Sequence, residues 1–279
     1  MCHLYGFLAS RPTRIECALV RSQEALFRQC SGSSRNLTRA NGWGVAFFPE
    51  DEPVIRKRIL PPFEPFVFDP EAAAAAGHAA IAHLRTPGPG KAERKNTHPF
   101  QFRNWTFAMH GTIENFPPLR RELMGELNPE YRRSIQGHSD AEHAFFLFLS
   151  YLKRSAGSIG SDAPLHRIRD SFRKTFYMLN EMTGRSGSLI RSQIDALCTN
   201  RQVMLACRQR GALYQLERSQ AEVCPICKAS HAVVAAGEPY HAVVFATEPL
   251  SGEDWTEIPD NSVVMVDPDL GVVVDPLEQ

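Results

Sequence analysis

Cys2, directly after the first methionine of this 279-residue chain, is the residue whose place could do the most chemistry. Read blandly, it is a small buried hydrophobe. Read chemically, removal of Met1, which methionine aminopeptidases permit before so small a side chain, leaves a cysteine carrying an α-amine of reference pKa about 7.7–8.0. At neutral pH part of that amine is unprotonated and can act as base toward its own thiol, directly or through a water. Nucleophile and base then share one residue, and what remains to be found is an oxyanion hole and groups that hold a substrate. Cys224-Pro-Ile-Cys227 with His231 is the second chemical pattern. Cys-x₂-Cys is half of a zinc site, with His231 as a third ligand. A fourth would have to be Cys198, Cys207 or another distant group, and there is no second Cys-x₂-Cys. We therefore read two free thiols or a facultative disulfide there, and assign no metal and no cofactor.

The elements that must position these residues follow from pattern. Ile15, Leu19, Leu26 and Cys30 fall near helical spacing within Arg14 to Cys30, with Gly32 as a stop. Asp69-Pro70 before Ala72–Ala76 and Gly77 after it describe a short capped helix. Gly44–Phe48, Val54–Ile59, Ala79–Arg85 and Trp105–His110 read as strands. Ser139-Asp-Ala-Glu142 is a capping box opening a helix to about Lys153, apolar on nearly every side and so expected between layers. Leu165 to Leu179 carries Ile168, Phe172 and Phe176 on one helical face. Strands resume at Leu189–Leu197, Val203–Arg208, His241–Thr247, Ser262–Val266 and Val272–Val274. Strands, two helices and strands again predict an α+β layered fold. With no Gly/Ser- or Pro-rich linker, we expect a single domain over 1–279, with 217–239 as a surface loop.

Composition excludes several classes. Thirty-one basic side chains balance thirty-one acidic ones, which argues against a protein built to grip nucleic acid or an anionic membrane. No apolar run nears the roughly 20 residues of a membrane span. Leu4 to Ala9 is too short for a signal-peptide core and has no basic segment before it. Seven scattered cysteines fit a reducing compartment. The expectation is a cytoplasmic protein.

Six motifs in order then carry a resemblance over most of the chain. Met-Cys-His-Leu-Tyr-Gly6, Asn41-Gly-Trp-Gly44, His83-Leu-Arg85, Asn96-Thr-His-Pro-Phe100, Asn104-Trp-Thr-Phe-Ala-Met-His-Gly111 and Ser139-Asp-Ala-Glu142 are joined near the end by Ala246-Thr-Glu-Pro-Leu250 and Trp255. Together they resemble the class II glutamine amidotransferases, which belong to the N-terminal-nucleophile hydrolases, and in particular the stand-alone branch of YafJ-like proteins and the ergothioneine-pathway γ-glutamyl hydrolase. The resemblance implies a four-layer αββα sandwich with Cys2 as nucleophile. It implies Arg85 on the substrate α-carboxylate, where a guanidinium offers a planar fork; the alternative is an ordinary strand-end surface arginine. It implies Asp140 on the α-ammonium group; helix-end electrostatics is its other reading, and both can hold. His98 resembles a pocket-lining position, and a histidine tying loop backbone together is the equal alternative. Trp43 reads as support beneath the nucleophile's strand.

Departures matter as much. The family's usual Phe-Ala-His-Asn-Gly is here Phe107-Ala-Met-His-Gly111. Gly111 keeps its N–H donor, while His110 stands where the Asn donor is expected. A ring nitrogen can donate, more strongly as imidazolium, which predicts an acid-shifted optimum that His110→Asn abolishes. Asn41 stands where the branch has Asp, removing a charge that could fix a loop. The implied reaction is hydrolysis of a γ-glutamyl amide, glutamine or a γ-glutamyl conjugate, through a Cys2 thioester, with ammonia released or passed to a separate synthase. The alternative is a non-catalytic glutamine or γ-glutamyl binder with a regulatory role.

Overall fold

A computed structural model describes residues 3–21, 41–60, 75–85, 93–224, 227–235 and 237–278. Strand β1 (His3–Arg14) follows directly on the position of Cys2 and lies inside a seven-stranded antiparallel sheet. Its neighbours are β10 (Ala242–Ala246) and β4 (Ala76–Arg85), with Tyr5 opposite both Ala246 and Ala82. Beyond β4 come β2 (Gly42–Phe48) and β3 (Val54–Ile59); beyond β10 come β9 (Tyr214–Arg218) and the two-residue β11 (Thr256–Glu257). The second sheet runs β13 (Val272–Pro276), β12 (Ser262–Val266), β8 (Met204–Gln209), β7 (Gln193–Thr199), β6 (Trp105–Thr112), β5 (Phe100–Phe102), also antiparallel.

Three apolar clusters define the layers. Leu4, Leu8, Phe48 and Ile81 of the first sheet meet Ala108, Leu197, Ala206 and Val264 of the second between the sheets. Over the outer face of the second sheet lie α1 (Phe116–Glu126), α2 (Pro129–Ser134), α3 (Asp140–Ala156) and α4 (Leu165–Arg185). Every residue from Ala141 to Leu152 of α3 is buried, which is the all-round apolar helix expected between layers. Phe145 stacks on Phe107 of β6 at 5.5 Å, and Phe148 meets Trp105 and Phe172 edge-on. Over the first sheet's outer face, Tyr5, Phe7, Trp43 and Leu84 pack with Ile15, Leu19, Ala232 and Tyr240.

Local expectations are corrected in three places. The capping box does not close: Ser139 makes no side-chain cap bond, and the Glu142 carboxylate turns outward to the Gln136 and Gly137 N–H groups at 2.9 and 2.7 Å. Those two loop donors outcompete the helix's own first turn. Arg14 closes β1 rather than opening a helix, and Cys17–Arg21 forms one π-helical turn; the rest of that predicted helix, with its Gly32 stop, lies outside the described residues. Ala76 and Gly77 belong to β4, paired with Arg14 and Thr13 of β1, instead of ending a helix, and the Phe48 backbone leaves room only for glycine at 77; residues 71–74 lie outside the described residues.

Candidate active site

One end of the space between the sheets is polar. Leu4, Ile81 and Ala108 line that space, and strand alternation puts His83 and His110 on the same faces further along. His83 is buried in β4, opposite Leu4 on β1 and Gly44 on β2. Its ring packs on His98 at 4.2 Å between centroids. Neither His83 nitrogen has a hydrogen-bond partner among the described residues. Burial first, and then the charges of His98, His110, Arg85 and His3, hold its pKa well below the ordinary 6.5.

His98 sits in the loop before β5, and its Nδ1 accepts the Met109 N–H at 3.2 Å. A backbone N–H can only donate, so the His98 proton is on Nε2. The histidine therefore ties loop to strand one residue before His110, the second of its two sequence readings. Gly44 makes room for this loop: the His98 carbonyl occupies the space a Cβ would need. Burial pushes the His98 imidazole down to about 3, helped by Lys57 and Arg85.

His110 and Gly111 form the exposed end of β6. Gly111 has φ +100°, and the Gln193 carbonyl fills its Cβ position, so only glycine fits. The His110 Nδ1 is buried with no partner among the described residues. Burial, then the charge of His3, lowers its pKa to about 4. Burial thus disfavours the imidazolium: near neutral pH the ring is neutral and carries one N–H. His3 itself is pushed to about 4 by burial. Its Nδ1 lies 3.4 Å from Glu248 without the alignment of a hydrogen bond, and the neutral ring makes this no ion pair at neutral pH.

Asp140 opens α3 and reaches back to the same strand end. Its Oδ2 accepts the Ile113 N–H at 2.8 Å and its Oδ1 the Ala141 N–H at 2.9 Å. Burial raises the pKa above the usual carboxylate value, and these backbone donors oppose that rise. The start of α3 is held in turn by His143, whose Nε2 accepts from Arg120 Nε at 3.0 Å while Nδ1 lies 2.7 Å from the Ser139 carbonyl. Arg120 can only donate, so the Nδ1 proton goes to Ser139. Arg85 ends β4 beside Asn41, whose N–H donates to the Arg85 carbonyl at 2.8 Å. That bond is open to any non-proline residue at 41, while the Asn41 Oδ1 is buried with no partner among the described residues.

Arg85, His98, His110, Gly111 and Asp140 are therefore gathered around the leading end of β1. Cys2 lies outside the described residues, one position before His3. Trp43 is buried on the far face of the sheet with Tyr5 and Phe7, the support expected of it. His83 stands in a motif whose pattern assigns it no role. Lys57 carries no sequence signal either; its ammonium lies 5.4 Å from the Phe100 ring centre and is lowered to about 8 by burial and Arg94. Nothing in the Arg56-Lys-Arg58 run sets Lys57 apart; only the fold does. Asp195 was likewise unforeseen. It faces His110 across β6 and β7, accepts the Ala212 N–H at 3.1 Å, and is pushed by burial to about 7.

At the opposite end of β1, Cys224, Cys227 and His231 come together with Cys17. Of the candidates for a fourth donor, Cys198 and Cys207 are buried in β7 and β8 and stand apart from this group, whereas Cys17 is the distant group that joins it.

Comparison with known proteins places these residues in context. The family described as class II glutamine amidotransferases matches residues 1–274. A probable glutamine amidotransferase, DUG3 of Saccharomyces cerevisiae, is 26% identical over 298 residues, covering 95% of this chain and 82% of the yeast protein. A predicted glutamine amidotransferase of Pseudomonas aeruginosa superposes with a TM-score of 0.67 at 20% identity, over 98% of this chain and 100% of that one. The glutamine phosphoribosylpyrophosphate amidotransferase of Bacillus subtilis gives 0.60 at 14% identity, over 100% of this chain and 50% of that one. The two facing antiparallel sheets with outer helices are thus the α+β sandwich of the N-terminal-nucleophile hydrolases. No helix among the described residues is long and apolar enough to cross a membrane.

Proposed function

The chain belongs to the class II glutamine amidotransferases, and from that premise we propose that it hydrolyses a γ-glutamyl amide through a thioester on Cys2. The observation that carries this reading is the convergence of Arg85, His110, Gly111 and Asp140 on the end of β1 next to Cys2. Arg85 and Asp140 take the α-carboxylate and α-ammonium groups of the substrate. A bound ammonium opposes the burial that raises Asp140 and stabilises its carboxylate. With Met1 removed, the Cys2 amine accepts the thiol proton as sulfur attacks the γ-carbonyl carbon. The developing oxyanion takes hydrogen bonds from the Gly111 N–H and a His110 ring N–H. The amine then returns the proton to the departing nitrogen, ammonia or an amine leaves, and water resolves the thioester by the same route.

The test is incubation with 6-diazo-5-oxo-L-norleucine, a reactive glutamine mimic, followed by mass spectrometry. The reading requires loss of dinitrogen and a mass gain on Cys2, absent in Cys2→Ser. His110 in place of the usual Asn favours a second reading, a glutamine or γ-glutamyl binder without turnover. Saturable glutamine binding with no adduct would establish that second reading and overturn the first.

A further inference from the structure

Four sulfur and nitrogen donors that are scattered in sequence meet on the outer face of the seven-stranded sheet. The Sγ atoms of Cys17, Cys224 and Cys227 and a ring nitrogen of His231 all lie within 4.8 Å of one another. Cys17 Sγ and Cys224 Sγ are 4.0 Å apart. A tetrahedral ion with Zn–S bonds of about 2.3 Å needs sulfurs ~3.8 Å apart along each edge. A disulfide needs about 2.05 Å. The observed spacing is that of a coordination shell.

Backbone bonds independent of any ion hold the donors there. Val223 and Ser230 pair as an isolated bridge, Cys224 N–H donates to the Ala229 carbonyl at 3.0 Å, and Lys228 N–H donates to the Cys224 carbonyl at 3.0 Å. Lys228, at φ +57°, turns the chain directly after Cys227. The hairpin is pinned to β1 by Arg14 N–H to the His231 carbonyl and Val233 N–H to the Pro12 carbonyl, both 2.8 Å. Cys17 enters from the π-helical turn that follows β1. A second observation points to a ligand: the His231 Nε2 is buried with no hydrogen-bond partner among the described residues. Such an orphaned nitrogen costs free energy unless something binds it.

We propose that Cys17, Cys224, Cys227 and His231 form a structural zinc site. Three thiolates and one imidazole complete the tetrahedron, leaving no open position for catalysis. Binding releases the thiol protons and gives a centre of net charge −1. Arg14, which lines the same cavity, balances that charge, while Arg218 there is already engaged by Glu253 at 2.8 and 2.7 Å. The centre clamps the loop following β9 to the chain leaving β1. On this face the described residues supply only one helical turn to cover Tyr5, Leu216 and Tyr240.

The experiment uses the full chain purified without chelators. Elemental analysis should find about one zinc per chain, and cobalt(II) substitution should give the intense visible bands of a tetrahedral thiolate centre. Cys17→Ser should lose the zinc, while Cys207→Ser should keep it. Because Cys17→Ser can fail to fold, Cys17→His supplies the control: it should retain metal with weaker sulfur-to-cobalt charge transfer. Zinc-free wild type that gives no tetrahedral cobalt spectrum overturns the site. So does full occupancy in a folded Cys17→Ser, or a Cys17–Cys224 disulfide in the native protein.

Discussion

His110 offers the sharpest test of the catalytic reading, because the structure reverses what its residue type suggests. An unperturbed histidine near pKa 6.5 would be about nine-tenths protonated at pH 5.5 and roughly a quarter protonated at pH 7. With its pKa lowered to about 4 by burial, the protonated fraction is only ~3% at pH 5.5 and about 1 in 10³ at pH 7. Between pH 5.5 and 8, kcat/KM for amine release from glutamine or a γ-glutamyl anilide should therefore follow the Cys2 amine, with no limb belonging to His110. His110→Ala removes one oxyanion donor and should lower turnover by about 10²–10³. His110→Asn restores a donor and should recover most of that loss, leaving the shape of the pH profile unchanged. Histidine-selective NMR reads the same quantity without turnover, and the His110 ring should titrate near pH 4. A wild-type inflection between pH 6 and 7 that vanishes in His110→Asn would refute the neutral-donor reasoning.

Acid should destabilise the fold well before the carboxylates titrate. His3, His98, His110 and His143 are lowered to between about 3 and 4, and His83 is held well below its ordinary value. Their folded pKa values lie below the unfolded 6.5, so the stabilisation is complete above pH 6.5 and is lost as pH falls toward 4. Asp195, raised to about 7, and Asp140, raised by burial, work in the opposite sense as pH falls; two carboxyls do not offset five imidazoles, and Tm should drop steadily from pH 7 to 5. A flat Tm over that range would show the rings to be solvated. Arg85→Lys and Asp140→Asn should each raise KM about 10- to 100-fold, the value of a charge-assisted hydrogen bond, while glutarate-like substrates lacking the α-amine should be indifferent to Asp140→Asn. Gly111→Ala must relieve both φ +100° and the clash with the Gln193 carbonyl; a loss of at least ~1–3 kcal/mol is expected in urea unfolding, and wild-type stability would contradict the geometry.

Much of this architecture is legible in local pattern. Val54–Ile59 and Ser262–Val266 are strands over the bounds that periodicity predicts, and the apolar body of α3 announces a helix buried on all sides. Elements without a strong period go unread: β5 and β11 are edge strands of three and two residues, and α1 starts after Asn115 in a left-handed conformation with no side-chain cap. The Ser139–Glu142 box shows the limit of a correct local signal, since the carboxylate found better donors in Gln136 and Gly137. Motif order likewise brings Arg85, His98, His110, Gly111 and Asp140 to notice, and strand pairing shows how near in space residues so far apart in sequence come.

What the amino-acid sequence determined by itself was the family and the candidate chemistry, because residue types at fixed spacings are one-dimensional facts. Protonation states and long-range partnerships were decided only by the tertiary structure. Burial between two sheets, which no spacing encodes, keeps the His110 ring neutral and lifts Asp195 to about 7. Cys17 meets Cys224, 207 positions further along the chain, because β1 and the loop after β9 leave the same sheet at the same end, and proximity of that kind is a property of the folded chain alone.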